Sequence, residues 1–354
     1  MARERVTAMD VAAAAGVSQS AVSRVFTQGA SVSTKMAARV RKAAAELGYR
    51  PNVLARSLIT GRSRIIGLVV AYLHNQFYPD ALERLSHALQ ERGYHILVFV
   101  ARGRGPQVER IVDELLDYQV DGIIAASVGL SDELFSRLEE AGIPVVLFNR
   151  GHADARLSQV TSDNLAGGRR VAAFLLAGGH ARMAHVSGWM GSTTGRDRAA
   201  GFRAGLEEVG LAPVAEIDGM YERDRAAEAA RALWQAHRPD AIFVGNDHMA
   251  FGVMDVLRGP LGLSVPGDVS VVGYDDVPAA AWGAYDLTTV RQPVGRMVAA
   301  TVETLLAQLE APADAPGPGV KTAIGGPLVV RASARVPEGW VSREDAEAEE
   351  GGAA

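Results

Sequence analysis

The chain has 354 residues, 48% of them hydrophobic and 22% charged, enough for two or three domains with a sizeable core. Its apolar runs all fall short of the ~18 residues that a membrane span needs, and its start lacks a secretory h-region, so a cytoplasmic protein with no membrane partner is expected. There is no cysteine, which excludes disulfides and thiolate metal sites.

The net charge of −5 is unevenly spread. Residues 1–64 carry +8 and the remainder −13. A small basic module on an acidic body is the pattern expected of a nucleic-acid binder, because Lys and Arg gain affinity by displacing counterions from phosphates.

Thr7, with Asp10 three residues on, has the form of a capping box and opens a short helix that Gly16 stops. Ser18 caps a second helix, 18–26, whose Ala21, Val22 and Val25 face inward with Val11 and Val17. Gln19, Ser20, Ser23 and Arg24 must then face out. A third helix runs from about Ser33 to Leu47, with Met36, Val40, Ala44 and Leu47 as its apolar stripe. Two helices joined by a tight glycine turn, then a third, form a helix-turn-helix unit whose second helix enters the major groove. There Gln addresses adenine and Arg guanine through paired hydrogen bonds. Pro51 ends the unit, Asn52 caps a segment of two turns at most, and so short a helix folds only against a partner.

From Ile65, the apolar runs "IIGLVVA", "YHILVFVA", "DGIIAAS" and "IPVVLFN" alternate with amphipathic stretches near 79–92, 106–118 and 131–142. After "SQVTSDN" the grammar restarts with "RMAHVSG", "AEIDG", "DAIFVGN" and "VSVVGYD". Two doubly wound α/β lobes follow, with a helix near 294–310 and apolar "PLVVRAS" at 327–333. In such sheets ligands sit beyond the carboxyl ends of the strands, which singles out Asn75, Phe77, Asn149, Asn246, Asp247, Asp275 and Asp276, with Arg198 after the "GWMGSTTG" loop and Tyr221 as a second aromatic wall. Amides, a carboxylate and an arginine beside an aromatic ring suit a polyhydroxylated ligand. Asn and Asp after strands also cap turns and helices, and Asp247 and Asp276 are read as structural. No G-x-S-x-G elbow, Walker lysine or H-E-x-x-H is present, and the eight histidines show no metal-ligand spacing, so neither an enzyme, a cofactor nor a metal site is expected.

The runs "DVAAAAGVSQSAVSRVF", "ELGYRPNVLARSLITGRS", "VDGIIA", "SDNLAGG", "RAAGF", "GNDHMA", "VVGYDD" and "LTTVRQP" resemble, in order and over residues 6–333, the LacI/GalR family of bacterial transcription regulators. The resemblance implies an all-α helix-turn-helix head (1–50), a hinge helix and linker (51–64) and a periplasmic-binding-protein-like core that binds effector and dimerises (65–336). Lobe 1 would comprise about 65–162 plus 293–322 and lobe 2 about 163–292 plus 323–336. Residues 337–354 read as a disordered acidic tail. It further implies that Gln19, Ser20 and Arg24 read bases and that Thr7, Ser18, Ser23 and Ser31 contact phosphate. Asn52, Ala55 and Leu58 would form the hinge, with Leu58 wedged into the minor groove. Arg198, Asn246 and Asp275 match effector positions. Met9 and Thr27 depart from the family pattern. The expected protein is a homodimer, since the C-terminal stretch lacks a leucine heptad. It would be a repressor released from a pseudo-palindromic double-stranded DNA operator by a small carbohydrate-like effector. A regulator whose ligand promotes DNA binding and a free sugar receptor are the alternatives.

Overall fold

The computed structural model describes residues 6–26, 30–50, 62–101, 106–129, 131–311 and 319–340. The chain divides into two units, Met1–Ser63 and Arg64–Ala354.

The first unit is three helices, α1 (Ala8–Ala15), α2 (Gln19–Phe26) and α3 (Thr34–Leu47). The capping box forms as its spacing predicts: Asp10 N donates to Thr7 Oγ1, and Thr7 N to Asp10 Oδ2 at 2.8 Å. Gly16 closes α1 at φ 60°, a left-handed conformation that glycine adopts without a Cβ penalty. Val11, Val22 and Val40 are fully buried at the centre. The buried stripe of α3 is Ala37, Val40, Ala43 and Ala44, whereas Met36 is half-buried and Leu47 39% exposed. Val40 and Ala44 are buried as expected, while Met36 and Leu47 sit at the rim and the small Ala37 and Ala43 complete the buried stripe.

The second unit holds two six-stranded sheets. The first combines β1 (Ile65–Val70), β2 (His95–Val100), β3 (Gly122–Ala126), β4 (Val145–Phe148), β5 (Ser158–Ser162) and β11 (Lys321–Ile324) in the order β11-β5-β4-β3-β1-β2. Helices α4 (Phe77–Glu91), α5 (Pro106–Asp117) and α6 (Asp132–Glu140) join its early strands. The second sheet has β6 (Met183–Ser187), β7 (Ala215–Asp218), β8 (Ala241–Val244), β9 (Ser270–Asp275), β10 (Thr288–Arg291) and β12 (Leu328–Val329), ordered β12-β10-β9-β8-β6-β7. Its helices are α7 (Asn164–Ala177), α8 (Thr193–Glu207), α9 (Arg223–His237) and α10 (Asp247–Arg258). All pairings are parallel except β10 with β12, as crossover helices require. After β10 the chain returns to lobe 1 through α11 (Val294–Glu310), which packs on α4, β4 and β5.

Glycines let α7 and α8 lie almost in contact. A Cβ on Gly168 would meet the Arg198 carbonyl oxygen at 2.3 Å, and one on Gly201 the Leu165 carbonyl at 2.1 Å. The close approach brings α8, and with it Arg198, against the sheet.

Two expected boundaries move. Strand β11 completes the first sheet through Ile324, two residues beyond the expected lobe 1 limit of 322. Residues 337–340, expected in the tail, belong to the body: Trp340 is half-buried and meets Phe174 edge-on at 5.0 Å. Residues 341–354 lie outside the described residues, as do Thr27 and the hinge positions Asn52, Ala55 and Leu58.

Candidate functional site

In the first unit, α2 carries an exposed polar face. Gln19, Ser20, Ser23 and Arg24 are all exposed while Ala21, Val22 and Val25 are buried, so the 3.6-residue period separates a polar face from the core. Ser18 Oγ accepts from Ala21 N at 3.3 Å and lies 2.9 Å from Ser20 Oγ. Arg24 Nε donates to the Ser20 carbonyl at 3.4 Å, so its guanidinium lies back along its own helix. Ser31 is exposed. Thr7 caps α1. Its hydroxyl donates to Asp10 Oδ2 and accepts from Asp10 N. Those bonds hold the exposed Asp10 carboxyl below its ordinary range and place a negative charge at the start of α1.

In the second unit, the expected effector residues gather at the carboxyl ends of both sheets. Asn75, Asn149, Arg198, Tyr221, Asn246 and Asp275 line one cavity, joined by Tyr72, Tyr78, Ser127, Arg150 and Thr194. Phe77 does not reach it. It is 4% exposed, stacks on Phe148 in the lobe 1 core, and the next residue, Tyr78, takes the place expected of it. One helical residue is a rotation of about 100°, enough to exchange core for cavity.

A buried ion pair forms the floor. Arg198 Nη1 stands 3.3 Å from Asp275 Oδ1 and donates to the Gly245 carbonyl at 2.6 Å, Nε donates to Asn164 Oδ1 at 2.9 Å, and the guanidinium lies 3.6 Å from the Tyr274 ring centroid. Asp275 also accepts from Gln292 Nε2 at 2.7 Å and, across the cleft, from Asn75 Nδ2 at 3.3 Å. Burial pushes the Asp275 carboxyl up, against the pull of Arg198. Burial likewise opposes the Arg198 charge, but Asp275 and the facing tyrosines outweigh it and hold the guanidinium above its ordinary value. Burial also raises the Tyr78 and Tyr221 phenols, which therefore remain neutral donors near pH 7.

Asn149 Nδ2 donates to Tyr78 Oη at 3.3 Å, and Asn246 Oδ1 caps α10 by accepting from Met249 N at 2.9 Å. Asp247 and Asp276 are structural, as expected. Asp247 accepts from Thr289 Oγ1 and Val277 N, while Asp276 pairs with Arg291 and Arg331, each at 2.7 Å.

Two features make the cavity the candidate binding site. Asn149 Oδ1, Arg150 Nε, Arg198 Nη2 and Tyr221 Oη are buried there without hydrogen-bond partners, and buried polar groups left so cost stability unless something satisfies them. Ser127, Asn149, Tyr221 and Asp275 all have positive φ (62°, 57°, 60° and 122°), backbone strain concentrated on the lining. The loop between β6 and α8 is shaped for aromatic walls: a Cβ on Gly188 would meet the Tyr221 ring at 2.1 Å, and one on Gly191 the Trp189 ring at 2.1 Å. Tyr72, Arg150 and Trp189 were missed from sequence, although Arg150 directly follows Asn149 and obeys the same strand-end rule.

Among the described residues, no helix is long and apolar enough to cross a membrane, and no group of three or more His, Asp or Glu could hold a metal ion.

Known proteins share both units. Residues 7–52 match the family of bacterial regulatory proteins of the lacI type, and residues 172–334 match a periplasmic binding protein-like domain. The ribose operon repressor of Escherichia coli (strain K12) is 32% identical over 312 residues, which cover 86% of this chain and 94% of that protein. The HTH-type transcriptional regulator CelR of Thermobifida fusca is 35% identical over 309 residues, covering 83% and 89%. Among solved structures, the lac repressor dimer bound to operator and the anti-inducer ONPF superposes with a TM-score of 0.84 at 28% identity, over 93% of this chain and 99% of that one. A CelR–cellobiose complex gives 0.71 at 32% identity, over 93% and 100%. The relatives are transcription regulators, and this chain, a helix-turn-helix head with a two-sheet periplasmic-binding-protein-like body, belongs to the LacI family of bacterial regulatory proteins.

Proposed function

We propose that this protein is a sequence-specific DNA-binding repressor whose hold on a pseudo-palindromic operator is controlled by a small polyhydroxylated effector. The observation that carries the reading is the convergence of four unpartnered buried polar atoms on a cavity built around Arg198 and Asp275. Hydroxyl groups, which both donate and accept, meet that set: Asn149 Oδ1 takes a donor, Arg150 Nε and Arg198 Nη2 take acceptors, and the Tyr221 phenol takes either. Gln19, Ser20 and Arg24 read bases, Ser18, Ser23 and Ser31 address phosphate, and Asn52, Ala55 and Leu58 form a hinge between DNA and body.

The protein acts as a homodimer, the state in which two heads match two half-sites. An apolar groove on lobe 1, lined by Leu73, Pro79, Leu82, Ile96 and Val98 along α4 and the edge strand β2, supplies a surface for the second copy. The cleft transmits the signal because the effector cavity is sewn across the lobes. Asn75 reaches Asp275, Ala279 N donates to Gln76 Oε1 at 3.1 Å, and Thr194 Oγ1 donates to the Asn149 carbonyl at 3.1 Å. A ligand that changes these bonds shifts the lobes and thereby the hinges.

Selection of an operator from random DNA, followed by fluorescence anisotropy with a panel of sugars, tests the proposal. The expected result is specific binding that one class of sugar weakens, and loss of that response in Asp275→Asn with ligand-free affinity retained. A sugar that tightens operator binding would instead assign a co-repressor response. Absence of sequence preference in any condition would overturn the reading.

A further inference from the structure

A separate cavity of about 310 Å3, at the small end of the range for ligand sites, lies on another face of α4. The effector cavity takes Asn75 and Tyr78 from this part of the chain, whereas Gln76, Asp80 and Arg84, in one helical row, line the second cavity. Its opposite wall comes from lobe 2, with Asp276, Val277 and Arg331. Exposed Arg84, Pro278 and Ala281 stand on its lining, so solvent reaches it without passing through the effector cavity. Two polar groups there lack partners. Arg84 Nε donates to Asp80 Oδ1 at 2.9 Å, while Nη1 and Nη2 donate to nothing among the described residues. Gln292 is 3% exposed, and its Nε2 donates to Asp275 Oδ1 at 2.7 Å. An ionised carboxylate only accepts, so that bond fixes the orientation of the amide and turns Oε1 away from it, buried and without a hydrogen-bond partner. Gln292 lines this cavity and not the effector cavity, so it is from here that a donor can reach Oε1.

We infer that this cavity is a second small-molecule site, for a small hydroxylated anion whose carboxylate or phosphate meets the Arg84 fork and whose hydroxyl donates to Gln292 Oε1. A neutral polyol would also reach Gln292, but it offers the fork one acceptor at a time, where a carboxylate or phosphate offers two parallel, charge-assisted ones. An amino acid would bring an ammonium among the guanidiniums of Arg84, Arg291 and Arg331. A metal ion is the wrong occupant, since no three His, Asp or Glu among the described residues are placed to hold one. Gln292 follows β10 directly, where the chain leaves lobe 2 for α11 and lobe 1, so an anion held by Arg84 and Gln292 ties the lobes together at that crossing. Asp275, which Gln292 holds, lines both cavities and pairs with Arg198. Occupancy of one site therefore changes the affinity of the other, by the same factor in both directions.

Calorimetry on the full-length protein tests the inference with three sets of probes: malate against succinate and aspartate, glycerate against propionate, and glycerol 3-phosphate against inorganic phosphate. One hydroxylated anion should bind saturably and at least about tenfold more tightly than its counterpart without the hydroxyl, the scale of leaving a buried acceptor unpaired. Whether that anion is a carboxylate or the phosphate ester identifies the acid group. Arg84→Gln should weaken it about tenfold or more, the scale of a hydrogen bond between charged groups, while Arg137→Gln, at an exposed arginine outside the cavity, should leave it unchanged. Gln292→Met should erase the advantage of the hydroxylated anion and leave its counterpart as it was, a selectivity that general loosening of the fold would not produce. Thermal unfolding reports whether each variant is folded, and Arg84, with half its side chain in solvent, keeps the test open if Gln292→Met unfolds the body. No saturable binding of any probe, equal affinity with and without the hydroxyl, tighter binding of aspartate than of malate, or affinity that survives Arg84→Gln would overturn the site. None of these measurements uses operator or sugar, so the regulator reading stands or falls apart from them.

Discussion

Replacing Arg198 with Met should destabilise the body by about 3–5 kcal/mol, the usual cost of stripping one partner from a buried ion pair. The geometry supports that scale. Two unit charges 3.3 Å apart in an effective dielectric of 20 interact by about 5 kcal/mol, and both side chains are nearly inaccessible, at 2% and 4% of their surface. Asp275→Asn should cost less, because Arg198 keeps the Gly245 carbonyl, Asn164 and the Tyr274 ring. The double variant should therefore lose less than the sum of the singles, a coupling that a double-mutant cycle by urea denaturation measures. The pH dependence has a definite sign. Burial already raises the Asp275 carboxyl, and without Arg198 its folded-state pKa rises further above the unfolded value, so the folded variant binds more protons than the unfolded chain across the window between them. Its stability must then fall as pH rises through that window, and Arg198→Met should be more damaging at pH 8 than at pH 5. Additive costs that do not change with pH would refute the claim that this pair is electrostatic rather than merely packed. The same geometry makes Asp275→Asn a sharper probe of effector binding than any truncation of Arg198, whose loss perturbs folding as well.

Other consequences are as direct. Gly188→Ala places a Cβ 2.1 Å from the Tyr221 ring, so the ring must leave its seat; effector affinity should drop about tenfold or more while ligand-free operator binding, followed by anisotropy, stays unchanged. His185 is fully buried, and burial holds its pKa down to about 4 from 6.5, so the unfolded chain takes up a proton that the folded one refuses. Stability should fall by up to about 3 kcal/mol between pH 6.5 and 4, and His185→Phe should flatten that part of a urea-midpoint profile. Arg24→Ala should cost about 1–3 kcal/mol on cognate operator and relax preference at one base pair per half-site, and equal losses on cognate and scrambled DNA would remove Arg24 from the base readers.

Where burial follows apolar pattern, the sequence was readable. The runs "IIGLVVA" and "DAIFVGN" became β1 and β8, the helix expected at 294–310 formed there, and the Thr7–Asp10 box closed as its spacing required. Strands β5 and β10 escaped because they are buried without being apolar, and β11 because only Ile324 of its four residues is buried. Ser158 accepts from Gln308 Nε2 and Val320 N, Ser162 Oγ lies 3.1 Å from Tyr274 Oη, and Thr288 Oγ1 donates to the Arg331 carbonyl. A buried hydroxyl satisfied by a distant residue leaves no periodic trace, since its partner is set by tertiary contact.

The cavity divides along the same physical line. Polar residues directly after strands were found because strand ends deliver them to the crevice whatever the rest of the chain does. Phe77 and Tyr78 could not be told apart that way, for the starting angle of α4 decides which ring faces the core, and that angle is set by packing on Phe148. Trp189 and Tyr221 depend on what is absent: each ring occupies space that a Cβ on Gly191 or Gly188 would fill, so the signal for an aromatic wall was the glycine spacing in "SGWMGSTTG". Two glycines flanking an aromatic residue just after a strand are therefore a readable mark of a ligand wall, because they clear the space that the rings of Trp189 and Tyr221 occupy.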